Sequence, residues 1–277
     1  MNIKNTFNKP LIIFTIVTFA FSWTHWFINS LVTNAGGRFP LPWIGSFGPA
    51  IGGMAAIYSL EKMKGVKQFI RAAFPIKGAM KQYLIGLFVP MLVVFVLFLS
   101  SPLFFNGSLR PTLTSETAGF IIVYIVFFVF GGALGEEMGW RGFLLRDLLG
   151  KFSGFWATIV VGIYWFVWHL PLFFWNVGGA NQNLEEIVPF TIIVFAFSFV
   201  FTYVYSLGER QNYLYAILLH TSFNWSFAFF PFLFSMAFIS KTPIIWGTSG
   251  IYAIIALALI LVKKVNFKAP EVILSEA

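Results

Sequence analysis

The chain has 277 residues, 58% of them hydrophobic and only 10% charged, with no cysteine. Soluble domains carry about 45–50% apolar and about 25% charged residues, so this composition excludes an ordinary soluble fold and makes lipid the solvent. The net charge of +8 sits beside apolar runs and points to topology and anionic lipid rather than nucleic acid. The missing cysteines exclude disulfides, thiolate metal ligands and a Cys nucleophile.

A spanning helix needs roughly 20 mostly apolar residues. The first such run, Leu11–Val32, is too long for a signal peptide core and is read as a retained span. Seven more follow, near Leu41–Leu60, Tyr83–Ser101, Ala118–Gly135, Gly154–Trp175, Ile187–Leu207, Tyr213–Leu233 and Ile245–Val262. The fourth can continue through Leu149, because Arg141–Gly150 keeps apolar residues at helical spacing. Between spans two and three, Glu61–Lys81 is basic, with Phe69, Ala72, Ala73 and Phe74 interspersed. It reads equally as an amphipathic helix on the inner leaflet or as a basic loop. With the N-terminus inside, only Arg38, Arg110 and Lys241 of the 18 lysines and arginines fall outside. The expected fold is therefore all-α, a single membrane domain over 1–277 with about eight transmembrane helices and both termini cytoplasmic.

Ionisable groups in a membrane are costly, so each is a candidate functional residue. At the inner end of the fourth span stand Glu136, Glu137 and Arg141. Glu137 and Arg141 are one turn apart, acid first, the favourable order for an ion pair. Glu136 points about 100° away, without a local cation, and is a candidate general base. Gly131, Gly135 and Gly139 form a smooth strip that lets another helix approach. In the fifth span Trp165 and His169 share a face, and Pro171 kinks or ends the helix. In the seventh, His220 and Asn224 share a face. His25 in the first span lacks a one-turn carboxylate or amide and reads as a packed residue.

A carboxylate, two imidazoles and a carboxamide supply a base, a group to hold water and oxyanion donors, the parts that peptide hydrolysis needs. Glu136, His169 and His220 are also candidate ligands for zinc or another divalent metal with an open position for water. Packing, interhelical hydrogen bonding or a proton relay are the alternative uses of the same residues. Counting rise per residue, the three can meet only if the fourth helix continues inward or the fifth begins well below the membrane surface, and the expected site opens to the cytoplasm.

These three motifs, in this order, resemble the CAAX protease and bacteriocin-processing (Abi) family of intramembrane proteases, which includes the Ras-converting CAAX endopeptidase. The family pattern is Glu-Glu-x-x-x-Arg, Phe-x-x-x-His and His-x-x-x-Asn. The chain shows Glu136-Glu137-x-x-x-Arg141, Trp165-x-x-x-His169 and His220-x-x-x-Asn224, with Trp165 where the family usually has Phe. The resemblance spans roughly Gly131–Phe230 and places a catalytic core within 118–233. It implies that Glu136 activates water, His169 positions it, and His220 and Asn224 stabilise the oxyanion, with Glu137, Arg141 and Trp165 in support. It implies a membrane-associated, prenylated or peptide-precursor substrate, and a metal whose part is contested in the family. A bacteriocin immunity or scaffold role without proteolysis is the alternative. A bacterial source would place the protein in the plasma membrane. Oligomeric state is not readable from the sequence.

Overall fold

The computed structural model describes residues 8–38, 42–74, 80–104, 119, 129–177, 184–207, 213–233, 241–262 and 265. Its regular elements are helices. We label them α1 (Lys9–Asn34), α2 (Gly48–Arg71), α3 (Met80–Phe104), α4 (residues 129–149), α5 (Gly154–His169), α6 (Pro171–Phe174), α7 (Ile187–Ser206), α8 (Leu214–Leu233) and α9 (Lys241–Leu261). Among the described residues, five stretches are long and apolar enough to cross a membrane: Lys9–Asn34, Met80–Ser100, Gly154–Phe174, Leu184–Ser206 and Ile244–Leu261. They coincide with the first, third, fifth, sixth and eighth expected spans. The protein is an integral membrane protein. Most of the fourth expected span lies outside the described residues.

Helix α1 starts at Asn8, whose side chain accepts a hydrogen bond from the Leu11 N–H, with Pro10 in the first turn. This is an ordinary cap, satisfying one of the donors a helix start leaves open. The buried stripe of α1 carries Thr18 and Ser22, and α2 lies against it through Gly48 and Gly52. A Cβ on Gly48 would lie 2.0 Å from Ser22 Oγ, and one on Gly52 2.1 Å from Thr18 Oγ1. Only glycine lets the two backbones come this close, the usual device for packing helices in lipid. The expected second span started at Leu41, but residues Pro42–Phe47 form a 3-10 turn and the α-helix begins at Gly48. Ser22 Oγ fixes that turn by donating to Gly45 O at 2.7 Å.

The basic stretch after the second span is helical as far as Arg71. It continues α2 past a kink at Lys62, the one non-glycine residue with positive φ (54°) among the described residues. Gly65, Val66, Phe69 and Ala73 face inward, whereas Lys64, Lys67 and Arg71 are exposed. The amphipathic reading holds over these residues.

Helix α4 is assembled from a π-helical stretch Val129–Ala133, an α turn Leu134–Glu137, a second π stretch Met138–Leu144 and an α turn Leu145–Leu149. The chain thus stays helical through Leu149, as the apolar spacing suggested. Two expected strip glycines explain where α4 sits. A Cβ on Gly135 would lie 2.6 Å from Ser46 O, and one on Gly139 2.4 Å from Pro49 O. Gly142 extends the strip toward Phe69 and Tyr213. The fifth expected span is broken: α5 ends at His169, and Pro171 opens the short α6. Proline cannot donate to the preceding turn, so the ladder stops there.

Polar contacts tie the remaining helices. The hydroxyls of Thr158 on α5 and Thr202 on α7 are hydrogen-bonded at 2.7 Å, and Gln82 of α3 donates to Val204 O of α7 at 2.8 Å. Ser222 of α8 donates to Leu87 O of α3 at 2.5 Å. Around them runs one aromatic-rich core that includes Phe14, Trp140, Trp165, Trp168, Phe197 and Phe201. The bundle has two distinguishable ends. Asn8, Asp147 and Lys151 meet at one, where Tyr213 N also bonds Ala72 O. Asn34 and Asn176 meet at the other.

Candidate active site

The short α turn of α4 places Glu136 and Glu137 side by side, 6% and 0% exposed. Their neighbours differ. Arg141 Nη1 lies 3.0 Å from Glu137 Oε1 and 2.9 Å from Oε2, so one nitrogen straddles both oxygens. The expected one-turn ion pair is present, although Arg141 lies within the π stretch. The guanidinium is 1% exposed and is held between two rings, 3.7 Å from the Phe201 centroid and 4.5 Å from that of Trp165. Such face contacts stabilise a desolvated cation.

Glu136 is turned toward α5. The indole N–H of Trp165 donates to its Oε2 at 2.8 Å. The indole therefore supplies more than a ring, because a phenyl group at this position would have no donor to offer the carboxylate. Trp165 is 4% exposed, and both imidazoles lie beside it, with centroid distances of 6.0 Å to His169 and 5.6 Å to His220. One indole thus touches the carboxylate and spaces the two histidines around it.

The histidines are oriented by different partners. His169 Nδ1 lies 2.8 Å from the backbone oxygen of Trp165, one turn earlier. A carbonyl only accepts, so Nδ1 carries the proton and Nε2 keeps its lone pair whenever the ring is neutral. His169 also packs between Trp168 and Phe190. His220 Nδ1 lies 2.8 Å from Glu137 Oε1. Glu137 therefore holds Arg141 on its own helix and His220 on α8, 83 positions away. Glu136 lies within electrostatic range of both imidazoles. Asn224 sits one turn beyond His220 on α8 and is half-buried.

The structure thus gathers Glu136, Glu137, Arg141, Trp165, His169 and His220 from three helices. It keeps His25 apart, stacked on Phe21 of its own helix. Sequence reasoning missed the Glu137–His220 bond, the Trp165–Glu136 bond and the part played by Phe201. It also missed Tyr215, a fully buried phenol within electrostatic range of Arg141 and Glu137.

A metal ion would draw on the same histidine and carboxylate atoms. Imidazoles that ligate a metal usually donate their other ring nitrogen to an oxygen acceptor, and both histidines here do so. Yet among the described residues no three His, Asp or Glu side chains come close enough together to hold a metal ion.

Residues 118–226 match the family model described as type II CAAX prenyl endopeptidase Rce1-like. This chain is similar to the Rce1-like CAAX endopeptidases. A relative from Methanococcus maripaludis named CAAX prenyl protease 2 is 28% identical over 209 residues, covering 73% of each chain. The match to the Rce1-like model is a match to a protease family, and hydrolysis is its reaction class. The matched segment contains each of the three motifs and all six gathered side chains.

Proposed function

We propose that this protein is an intramembrane endopeptidase that cleaves a membrane-associated substrate, with Glu136 as the base. The observation that carries the reading is the convergence of Glu136, His169 and His220 around the Trp165 indole, inside the segment that matches the protease family. His169 Nε2 accepts one hydrogen of a water molecule, and Glu136 takes the other. The oxygen lone pair then attacks the scissile carbonyl carbon. Charge moves to the carbonyl oxygen, where two donors serve it: Nε2–H of a protonated His220, whose imidazolium charge the Glu137 carboxylate balances, and the Asn224 amide. Collapse of the tetrahedral species breaks the C–N bond, and Glu136 returns its proton to the leaving amine. The new carboxylic acid then gives its proton to the new amine, so the products are a carboxylate and an ammonium ion, and no oxidant or reductant is needed. No step runs through a metal.

Glu136 and His220 are buried while His169 and Asn224 are half-exposed, so the substrate arrives from the His169–Asn224 side. Given its similarity to a protein named CAAX prenyl protease 2, we propose as substrate a peptide tethered by a lipid near its C-terminus. We place the basic end of the bundle on the cytoplasmic side. Purified protein in liposomes should release a C-terminal fragment from a peptide carrying a prenylated cysteine and leave the unprenylated peptide largely intact, as read by mass spectrometry. Intact peptide in both cases would remove the hydrolase reading.

Trp165 has a separable role as a positioning residue. Trp165→Phe keeps the ring but deletes the donor to Glu136. We expect kcat to fall about tenfold or more, as when one hydrogen bond to a charged group is lost, with KM nearly unchanged. The pH dependence of kcat should also move, because a bond to the charged carboxylate is gone. An unchanged pH profile would make Trp165 packing alone.

A further inference from the structure

We infer that the outward face of the second half of α2 and its following turn is a binding surface for anionic phospholipid headgroups. After the kink at Lys62, Met63, Lys67, Ile70, Arg71 and Phe74 recur at helical spacing on one exposed stripe, with Lys64 beside it. Met63 and Phe74 are each 55% exposed and stand among three cations. Water would leave the apolar residues unsatisfied, and the hydrocarbon core would leave the cations so. The headgroup layer satisfies both, with apolar side chains reaching the acyl boundary and ammonium and guanidinium groups at the phosphates.

The charge of the surface selects the lipid. Residues 62–74 contain no acidic side chain. Among the described residues, Lys64, Lys67 and Arg71 have no acidic partner, whereas Arg141 and Lys151 each do. The inner face is fixed to the bundle and cannot turn over. Phe69 packs on Tyr213 with ring centroids 5.6 Å apart, the Tyr213 hydroxyl donates to Phe69 O, and Tyr213 N donates to Ala72 O at 3.2 Å. Tyr213 immediately precedes α8, the helix that bears His220. Lipid bound at this face therefore bears on the end of a helix that enters the candidate site.

The absence of native cysteine allows a clean test on the full chain. A Phe74→Cys variant carrying a fluorescent dye is reconstituted in nanodiscs with trace spin-labelled phosphatidylglycerol or phosphatidylcholine, in a neutral lipid background. Polybasic segments gain several-fold enrichment of acidic lipid per cation, so quenching by phosphatidylglycerol should exceed that by phosphatidylcholine by about twofold or more. The excess should vanish in Lys64→Gln/Lys67→Gln/Arg71→Gln and in high salt. Met63→Cys, at the other end of the stripe, repeats the measurement should the first variant not fold. Equal quenching by the two lipids would overturn the proposal, as would no quenching by either. A soluble acidic peptide that changes the emission, with no preference between the lipids, would also overturn it and assign the face to acidic protein partners.

Discussion

Glu136→Gln should lower kcat/KM for a lipid-tethered peptide by about a thousandfold, the scale of a lost general base, while expression and thermal midpoint stay close to those of the unaltered protein. The second half of that expectation comes from Trp165. Its indole N–H donates to Glu136 Oε2 at 2.8 Å, and the amide oxygen of glutamine accepts the same bond. The buried donor therefore keeps its partner, the side-chain volume is unchanged, and a buried negative charge is removed. Only the ability to take a proton from water is lost. Cleavage in detergent or liposomes, followed with a thermal unfolding scan on the same preparation, separates the two effects. Full cleavage by the variant would remove Glu136 as base. Lost cleavage together with a collapsed midpoint would mean that the carboxylate is structural.

Arg141→Met should have the opposite signature, with stability failing first. The guanidinium is 1% exposed and Glu137 is fully buried, and the two form a direct ion pair. Removing one partner of a buried pair costs up to about 3–5 kcal/mol, although His220 still bonds Glu137 and offsets part of that loss. The cation also fills the gap between the Phe201 and Trp165 rings, and an unbranched thioether fills it without charge. A loss of this size lowers the thermal midpoint by roughly 10 °C in a chain of this length. Arg141→Lys should recover part of the charge but not the planar contact with both rings, and should fall between the two. Cleavage should drop as well, because Glu137 holds His220 Nδ1 at 2.8 Å. An unchanged midpoint in Arg141→Met would show that the pair contributes little to the fold.

The contrast between these variants shows which parts of the site could be read from the chain. The Glu137–Arg141 pair was legible because both residues are on one helix, one turn apart, and local geometry decides whether they meet. The separation of Glu136 from Arg141 was legible for the same reason. The Glu137–His220 bond was not, since no spacing rule links positions on helices α4 and α8. It depends on how Ser46, Phe47 and Pro49 close over Gly135 and Gly139, and on how α3 carries α8 through Leu87 and Ser222. The indole bond to Glu136 was hidden behind an apparently mild exchange of one aromatic residue for another. Only the position of the Glu136 carboxylate shows that the nitrogen is used.

Much of the architecture was legible from hydropathy alone, because a run of apolar residues in lipid has little choice but to be helical. Five of the expected spans are recovered as long apolar helices. The break at Pro171 follows from proline chemistry and was expected. The two π stretches in α4 were not. A π turn widens the helix by one residue and gains nothing locally, so such turns persist where packing or function compensates. Here they flank the pair of carboxylates. The 3-10 turn that displaced the start of α2 to Gly48 has a similar origin, since Ser22 on α1 captures the Gly45 carbonyl, a contact no local pattern announces.

The central claim is that Glu136, on α4, and His220, on α8, serve a single reaction centre. Rates for Glu136→Gln, His220→Ala and the double variant, taken in one assay with one substrate, test it most directly. Groups that act as a unit are strongly non-additive, so the double variant should be about as slow as the slower single one. Losses that multiply, with the double variant slower by the product of the two, would mean that the side chains act independently and would contradict the account.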